Sequence, residues 1–153
     1  MKCIRGFKYR GNLRLISVFE EIILNFLNEN DIRTCSADLI VPVPLHPVRL
    51  YRRGYNQSEL ISNILSKHLS IPVSRHALVK TKNTVPQMGL PRKRRVKNLK
   101  NSFAVVDRLN LLGRSVMLVD DIMTTGATLD TCAQELTRSG VTALYGFTLA
   151  RTM

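Results

Sequence analysis

The chain has 153 residues, 44% of them hydrophobic, so it can bury a core and is not compositionally disordered. No run of about 18 apolar residues occurs, which excludes a transmembrane helix, and Arg5, Lys8, Arg10 and Arg14 interrupt any signal-peptide core at the N-terminus. The formal charge of +12 points to anionic partners, and the placement of charge, more than its sum, is informative.

In chain order, Leu13, Ile16, Phe19, Ile22, Ile23, Phe26 and Leu27 recur at helical spacing, which predicts an amphipathic helix over Asn12–Asn28. Leu39–Val43 is a short apolar run stopped by prolines and reads as a buried strand. Asn56 then opens a helix, with Glu59 three residues on as a capping-box-like pair and Leu60, Ile61, Ile64, Leu65 and Leu69 on its apolar face. Ile71–Val79 has room for one short strand. Thr81–Lys100 is polar, basic and contains Pro86 and Pro91. It reads as a long excursion, and long loops inside compact domains are usually functional or mobile. Phe103–Val106 is a strand, Asn110–Arg114 a turn, and Ser115–Val119 a strong strand. Gly126–Ser139 is a helix with Leu129, Cys132, Ala133 and Leu136 on its stripe, stopped by Gly140, and Val141–Leu149 is the last strand.

Strands alternating with helices imply a parallel α/β sheet with right-handed crossovers, whose ligands sit beyond the C-terminal strand edge. Three segments converge on that edge: the loop after Val43, the basic excursion and the loop after Val119. Between Arg75 and Lys100 there are nine basic residues and no acidic one, and Lys2–Arg14 adds five more without an acid. Cys3, Cys35 and Cys132 form no C-x-x-C pair, so neither a zinc ribbon nor a disulfide framework is expected, and Cys132 reads as a core thiol.

The stretch Val116–Thr128 carries the chemistry. A buried strand leads into Asp120 and Asp121, then a small-residue loop opens a helix. Backbone N–H groups and the dipole at a helix N-terminus favour an anion. Gly126 permits close backbone approach, and the hydroxyls of Thr124, Thr125 and Thr128 can donate to phosphate oxygens. The two carboxylates would repel phosphate but suit the paired hydroxyls of a ribose. Either half alone is commonplace, as a solvated turn or a helix cap. Together they describe a sugar bearing a phosphate at one end.

This order resembles the phosphoribosyl-pyrophosphate (PRPP) signature of type I phosphoribosyltransferases: apolar strand, two acids, three variable positions, then Thr-Gly-x-Thr. The resemblance implies that Asp120 and Asp121 hold the ribose 2′ and 3′ hydroxyls. It implies too that Thr124, Thr125, Gly126, Ala127 and Thr128 cradle the 5′-phosphate. Mg²⁺ would arrive on PRPP, with no protein metal cage.

Val41-Pro42-Val43-Pro44-Leu45-His46-Pro47, Arg52-Arg53-Gly54-Tyr55-Asn56-Gln57, and the series Thr84, Pro86-Gln87, Leu90, Arg95, Asn98-Leu99 and Phe103 narrow the match further. They resemble the ComF/GntX-like branch of competence-associated proteins on the type I fold, over nearly the whole chain. This implies one domain, 1–153, with a central, mostly parallel sheet flanked by helices and a small hood or flexible loop over 75–103. It assigns Pro44, Leu45, Arg52 and Arg53 to pyrophosphate and makes Arg95 the catalytic cation of the flexible loop. It also implies a cytoplasmic protein serving DNA uptake, with phosphoribosyl transfer and pyrophosphate release as its reaction. A homodimer is compatible with this reading. The alternative is a non-catalytic PRPP-sensing module whose basic face binds single-stranded DNA or a competence-machinery ATPase. Two departures bear on the choice. The N-terminal zinc ribbon of many ComF-like chains is not expected here. Thr124 stands where oxopurine transferases carry an acid, and no base-recognising C-terminal extension is expected after the last strand. His46, between prolines, reads as a loop residue, and His68 and His76 carry no signal.

Overall fold

The computed structural model describes residues 15–30, 36–84 and 98–151. Arg95, the neighbouring Arg92, Lys93, Arg94 and Lys97, the basic stretch Lys2–Arg14, and Cys3 and Cys35 lie outside them.

The elements are α1 (Leu15–Glu29), β1 (Leu39–Pro42), α2 (Pro47–Arg53), α3 (Gln57–Leu69), β2 (Leu78–Lys80), β3 (Phe103–Val105), the single turn α4 (Arg108–Leu111), β4 (Ser115–Met123), α5 (Ala127–Arg138) and β5 (Ala143–Arg151). β4 lies at the centre of a parallel sheet of order β1-β4-β5, while β2 and β3 form a separate antiparallel pair. This is the α/β architecture expected, with helices on both faces of the sheet and the small two-stranded unit over one of them.

Strand alternation sorts the core into two layers. Leu39, Val41, Val116 and Leu118 face α5 and the β2-β3 pair, packing with Cys132, Leu136, Leu78, Leu99 and Phe103. Ile40, Met117 and Val119 face the other way, against Ile61, Ile64 and Leu65 of α3 and Ile23 of α1. Because β1 and β4 are covered on both faces, they read as continuous apolar runs, as buried parallel strands do.

Several boundaries differ from the sequence reading for non-local reasons. Ile71–Val79 is divided: Val73 makes a parallel bridge to Ile40, and Leu78–Lys80 pairs antiparallel with Phe103–Val105. β4 runs four residues beyond Val119, to Met123, because β5 pairs with it as far as Met123↔Arg151. Asn110–Arg114 begins inside a helical turn capped by Asp107. The capping box at Asn56 is half made: Asn56 Oδ1 accepts from Ser58 N at 3.2 Å, but Glu59 is drawn to Arg75 Nε at 2.7 Å. Gly140 stops α5 as expected, with φ of 92°.

Candidate functional site

The site is assembled at the C-terminal edge of the sheet. Asp120 and Asp121 are the sixth and seventh of the nine residues of β4, with Asp120 in register with Thr148 of β5. The strand therefore holds the acids rigidly instead of releasing them into a turn. Asp120 is half-buried and Asp121 is only 5% exposed. Asp120 Oδ1 accepts from its neighbour's backbone, Asp121 N, at 2.9 Å, and from Ser58 Oγ at 3.2 Å.

After Met123 the chain turns through Thr124–Gly126 and enters α5. Gly126 occupies the N-cap with φ of 77°, and among the described residues no side-chain cap hydrogen bond is made there. The first-turn N–H groups of α5 are thus offered to a ligand, and their dipoles favour an anion. Asp120, Ile122, Met123, Thr124, Thr125, Gly126, Ala127, Thr128 and Leu129 line an open cradle here. All seven residues expected to take ribose and phosphate fall in this one stretch, and every one but Asp121 lines the cradle. Ala127 contributes backbone alone, since its methyl is buried in the core beneath.

The loop after β1 stands beside the acids. Val43 N donates to Val119 O at 2.8 Å, so pairing continues past the end of β1. The strand register ends at Pro42 beside Val119, so Val43 and Pro44 follow alongside Asp120 and Asp121, with Leu45 next. His46 is a helix cap: its Nδ1 accepts from Val48 N at 3.3 Å. On α2, Arg52 is exposed and Arg53 donates to Gln57 Oε1 at 2.7 Å.

The Arg-Gly-Tyr-Asn-Gln-Ser stretch acts physically as a clamp. Asn56 Nδ2 donates to Val43 O at 3.0 Å while its Oδ1 caps α3, so one buried side chain ties the loop to the helix. Two residues on, Ser58 orients Asp120. Gln57, 2% exposed, joins Arg53 to the start of α3. The capping role of Asn56 was readable from the sequence; its amide donor and the hydroxyl of Ser58 were not.

A second residue missed by sequence reasoning is Lys80, at the end of β2. Its ammonium lies over the Phe103 ring, 5.0 Å from the centroid. Burial pulls Lys80 down to about 8, and the Arg49 guanidinium pulls the same way; Cys132 and Asp120 oppose them and lose. Cys132 is pushed well above the ordinary thiol range, chiefly by burial and then by Asp120, with Lys80 opposing. It is the inert core thiol expected. Arg49 reaches across from α2 to the Thr84 carbonyl just past β2. The unit at the base of the excursion is therefore tied to the sheet edge on the Asp120 side.

No protein-family model matches the chain. Among curated proteins it is 43% identical over 115 residues to Competence protein F of Haemophilus influenzae, covering 74% of this chain and 50% of the relative. It is 40% identical over 116 residues to the DNA utilization protein YhgH of Escherichia coli, covering 76% and 50%. Over 146 residues it is 28% identical to Competence protein ComFC of Bacillus subtilis, covering 95% and 57%. The chain thus spans about half the length of these relatives.

Among solved structures, a purine phosphoribosyltransferase from Pyrococcus horikoshii superposes with a TM-score of 0.50 at 16% identity, over 92% of this chain and 81% of that one. An allosteric regulatory enzyme of purine biosynthesis superposes with a TM-score of 0.54 at 18% identity, over 88% of this chain and 26% of that one. At these identities the likeness speaks for the fold, and the curated relatives speak for the branch. The chain belongs with the ComF-like proteins built on the type I phosphoribosyltransferase fold.

Proposed function

We propose that this chain binds PRPP together with Mg²⁺ at the C-terminal edge of its sheet. The observation that carries the reading is the sequence of groups along β4 and α5. Two carboxylates held on the strand come first, then an open cradle ending at a helix N-terminus with glycine at its N-cap. Asp120 and Asp121 take the ribose hydroxyls, and Thr124–Thr128 take the 5′-phosphate through backbone N–H groups and hydroxyls. The diphosphate end then points to Pro44 and Leu45, beside which α2 carries Arg52 and Arg53.

Among the described residues no group of three or more His, Cys, Asp or Glu side chains could hold a metal ion. The donor set fits a Mg²⁺ held by the sugar's own diphosphate and ribose oxygens, as that ion is commonly bound with substrate phosphates. When bound, the ion would neutralise part of the diphosphate's charge. The chain's own residues position the ribose and supply N–H donors and cations. With an acceptor present, the bond from the anomeric carbon to pyrophosphate breaks as the bond to the acceptor forms. Arg95 is proposed to meet the departing diphosphate.

A second reading is favoured by Thr124, which leaves no acid where oxopurine transferases have one. The same site would then sense PRPP while the basic charge serves DNA. The relatives' names, competence and DNA utilization, support a role near DNA uptake under either reading.

Calorimetric titration with PRPP in the presence and absence of Mg²⁺, beside ribose 5-phosphate, tests the binding. Saturable PRPP binding that tightens with Mg²⁺ is expected, and no heat with either ligand would refute it. Exchange of labelled pyrophosphate into PRPP across a panel of bases separates transfer from sensing.

A further inference from the structure

β5 is the outer strand of the sheet on the side away from β1. It is nine residues long, and among the described residues no strand pairs with its outer edge. Native edge strands are usually short, bulged or charged, because their outward N–H and C=O groups recruit other strands. β5 has none of these protections. Its register with β4 runs without a slip from Ala143 to Arg151, and no charged residue or proline precedes Arg151 in it. Tyr145 and Gly146 are exposed along its length.

α1 extends the same edge. Ile23 is buried against α3, while Phe26 stands edge-on to Phe147 with 5.9 Å between ring centroids. Phe19 packs with Leu149 and Ala150, so α1 runs antiparallel to β5. Val18, Ile22 and Phe26 recur at four-residue spacing and are 44%, 48% and 42% exposed. They form one stripe along the helix, and Phe26 joins it to β5. Single exposed apolar residues are ordinary, but a stripe running beside an unblocked edge strand marks an interaction site. Glu29, three residues past Phe26, continues the stripe toward the start of β5, while Arg151 stands at the end of β5. Within one chain these two charges lie at opposite ends of the layer.

We propose that this edge binds a second copy of the chain, through antiparallel pairing of β5 with β5. A closed two-fold interface requires the surface to meet itself. Pairing of the full strand places Phe147 opposite Phe147 on the axis and Arg151 opposite Ala143 of the second copy. The axis is perpendicular to the sheet, so both α1 helices lie on the same face and their stripes meet across it. The same pairing brings Arg151 of one copy to the end of α1 that carries Glu29 in the other. That charge pair forms twice. The wider charge agrees: α1 has three glutamates and no lysine or arginine in a chain of +12, so the copies meet where their mutual repulsion is least. Another protein offering a strand would satisfy the backbone alone. The matching stripe and the reciprocal charges are what a second copy supplies.

The test is sedimentation velocity with light scattering on the full chain over a range of concentrations. Wild type should be dimeric at about 100 μM and dissociate on dilution. Ile22→Glu, at an already exposed position, should keep the circular dichroism of wild type. It should weaken the dimer at least about 100-fold, since symmetry imposes the loss twice. Glu29→Arg and Arg151→Glu should each weaken it about 10-fold, and the two combined in one chain should return it to within about threefold of wild type. At equal concentration the β5 amides should exchange more slowly in wild type than in Ile22→Glu. If Ile22→Glu does not fold, the reciprocal charge reversal decides alone. A wild type still monomeric at about 100 μM, a dimer that folded Ile22→Glu leaves intact, equal exchange of β5 in the two, or a double reversal no tighter than the single ones would overturn the proposal.

Discussion

Asn56→Ala isolates the clamp that holds the loop after β1 to α3. The side chain is 8% exposed and makes two hydrogen bonds, one capping Ser58 N and one donating to the Val43 carbonyl. Losing the cap costs about 1 kcal/mol. Losing the second bond leaves a carbonyl at the edge of the core without its donor, which costs about 1–3 kcal/mol more. The expected destabilisation is thus roughly 2–4 kcal/mol. For a chain of 153 residues that corresponds to a fall in Tm of about 5–15 °C. Asn56→Asp separates the two bonds, because it keeps the acceptor for Ser58 N and removes the donor to Val43. It also points a carboxylate at that carbonyl, so most of the loss should persist. Urea unfolding followed by circular dichroism, with unchanged m-values, gives these differences. PRPP affinity should fall in both variants as Pro44 and Leu45 lose their anchor. A loss below about 0.5 kcal/mol in Asn56→Ala would place the side chain in the ordinary surface range and refute the clamp.

Three further outcomes follow from the same geometry. In Gly126→Ala the new Cβ would meet only the Asp130 carboxylate at 3.6 Å, so the cost is conformational, about 1–2 kcal/mol for the left-handed φ. PRPP binding should weaken with it, and unchanged stability and affinity would contradict the cradle. Lys80 holds its proton less well folded than unfolded, so between about 8 and the ordinary 10.5 the unfolded chain binds more protons and stability rises with pH. Cys132 acts oppositely above its ordinary 9.0, since the folded chain keeps a proton that the unfolded chain loses. Wild type minus Lys80→Met cancels that term, and a flat difference from pH 7 to 10 would contradict the burial of Lys80. If the basic charge serves single-stranded DNA through five phosphate contacts, log affinity against log salt should have a slope near about −3.5. Replacing Arg92 and Lys93 with Ala should flatten it by roughly 1.4 and spare PRPP; no binding at low salt would assign the charge elsewhere.

The legible parts of the molecule were those set by local pattern. Leu39–Val43 and Val116–Val119 announced themselves as buried parallel strands because both of their faces are covered. The α5 stripe, its Gly140 stop and the acid-to-threonine order of Asp120–Thr128 are contiguous in sequence. What stayed hidden depends on partners far away in the chain. Ile71–Val79 reads as one strand, yet Val73 pairs with Ile40 and Leu78 with Val105, in opposite senses. Asp120 and Asp121 follow the strand like a turn, but β5 pairs with Asp120 and Ile122 and carries the strand through them. Lys80 looked like one more cation in a basic stretch. Its placement beside Asp120 is a consequence of β2 meeting β3 and both packing toward α5. Ser58 carried no signal because its partner is 62 residues away.

The central claim is that Asp120 and Asp121 hold the ribose of PRPP, and its most direct measurement is calorimetry on Asp120→Asn combined with Asp121→Asn. The substitution is nearly isosteric, and the amides can still occupy the end of β4. The account predicts wild-type circular dichroism together with PRPP binding too weak to detect, because the acceptor-only carboxylates that receive two hydroxyls are gone. Inorganic phosphate, competing only for the Thr124–Thr128 cradle, should bind as it does to wild type. A folded double variant that retains wild-type affinity for PRPP would contradict the account.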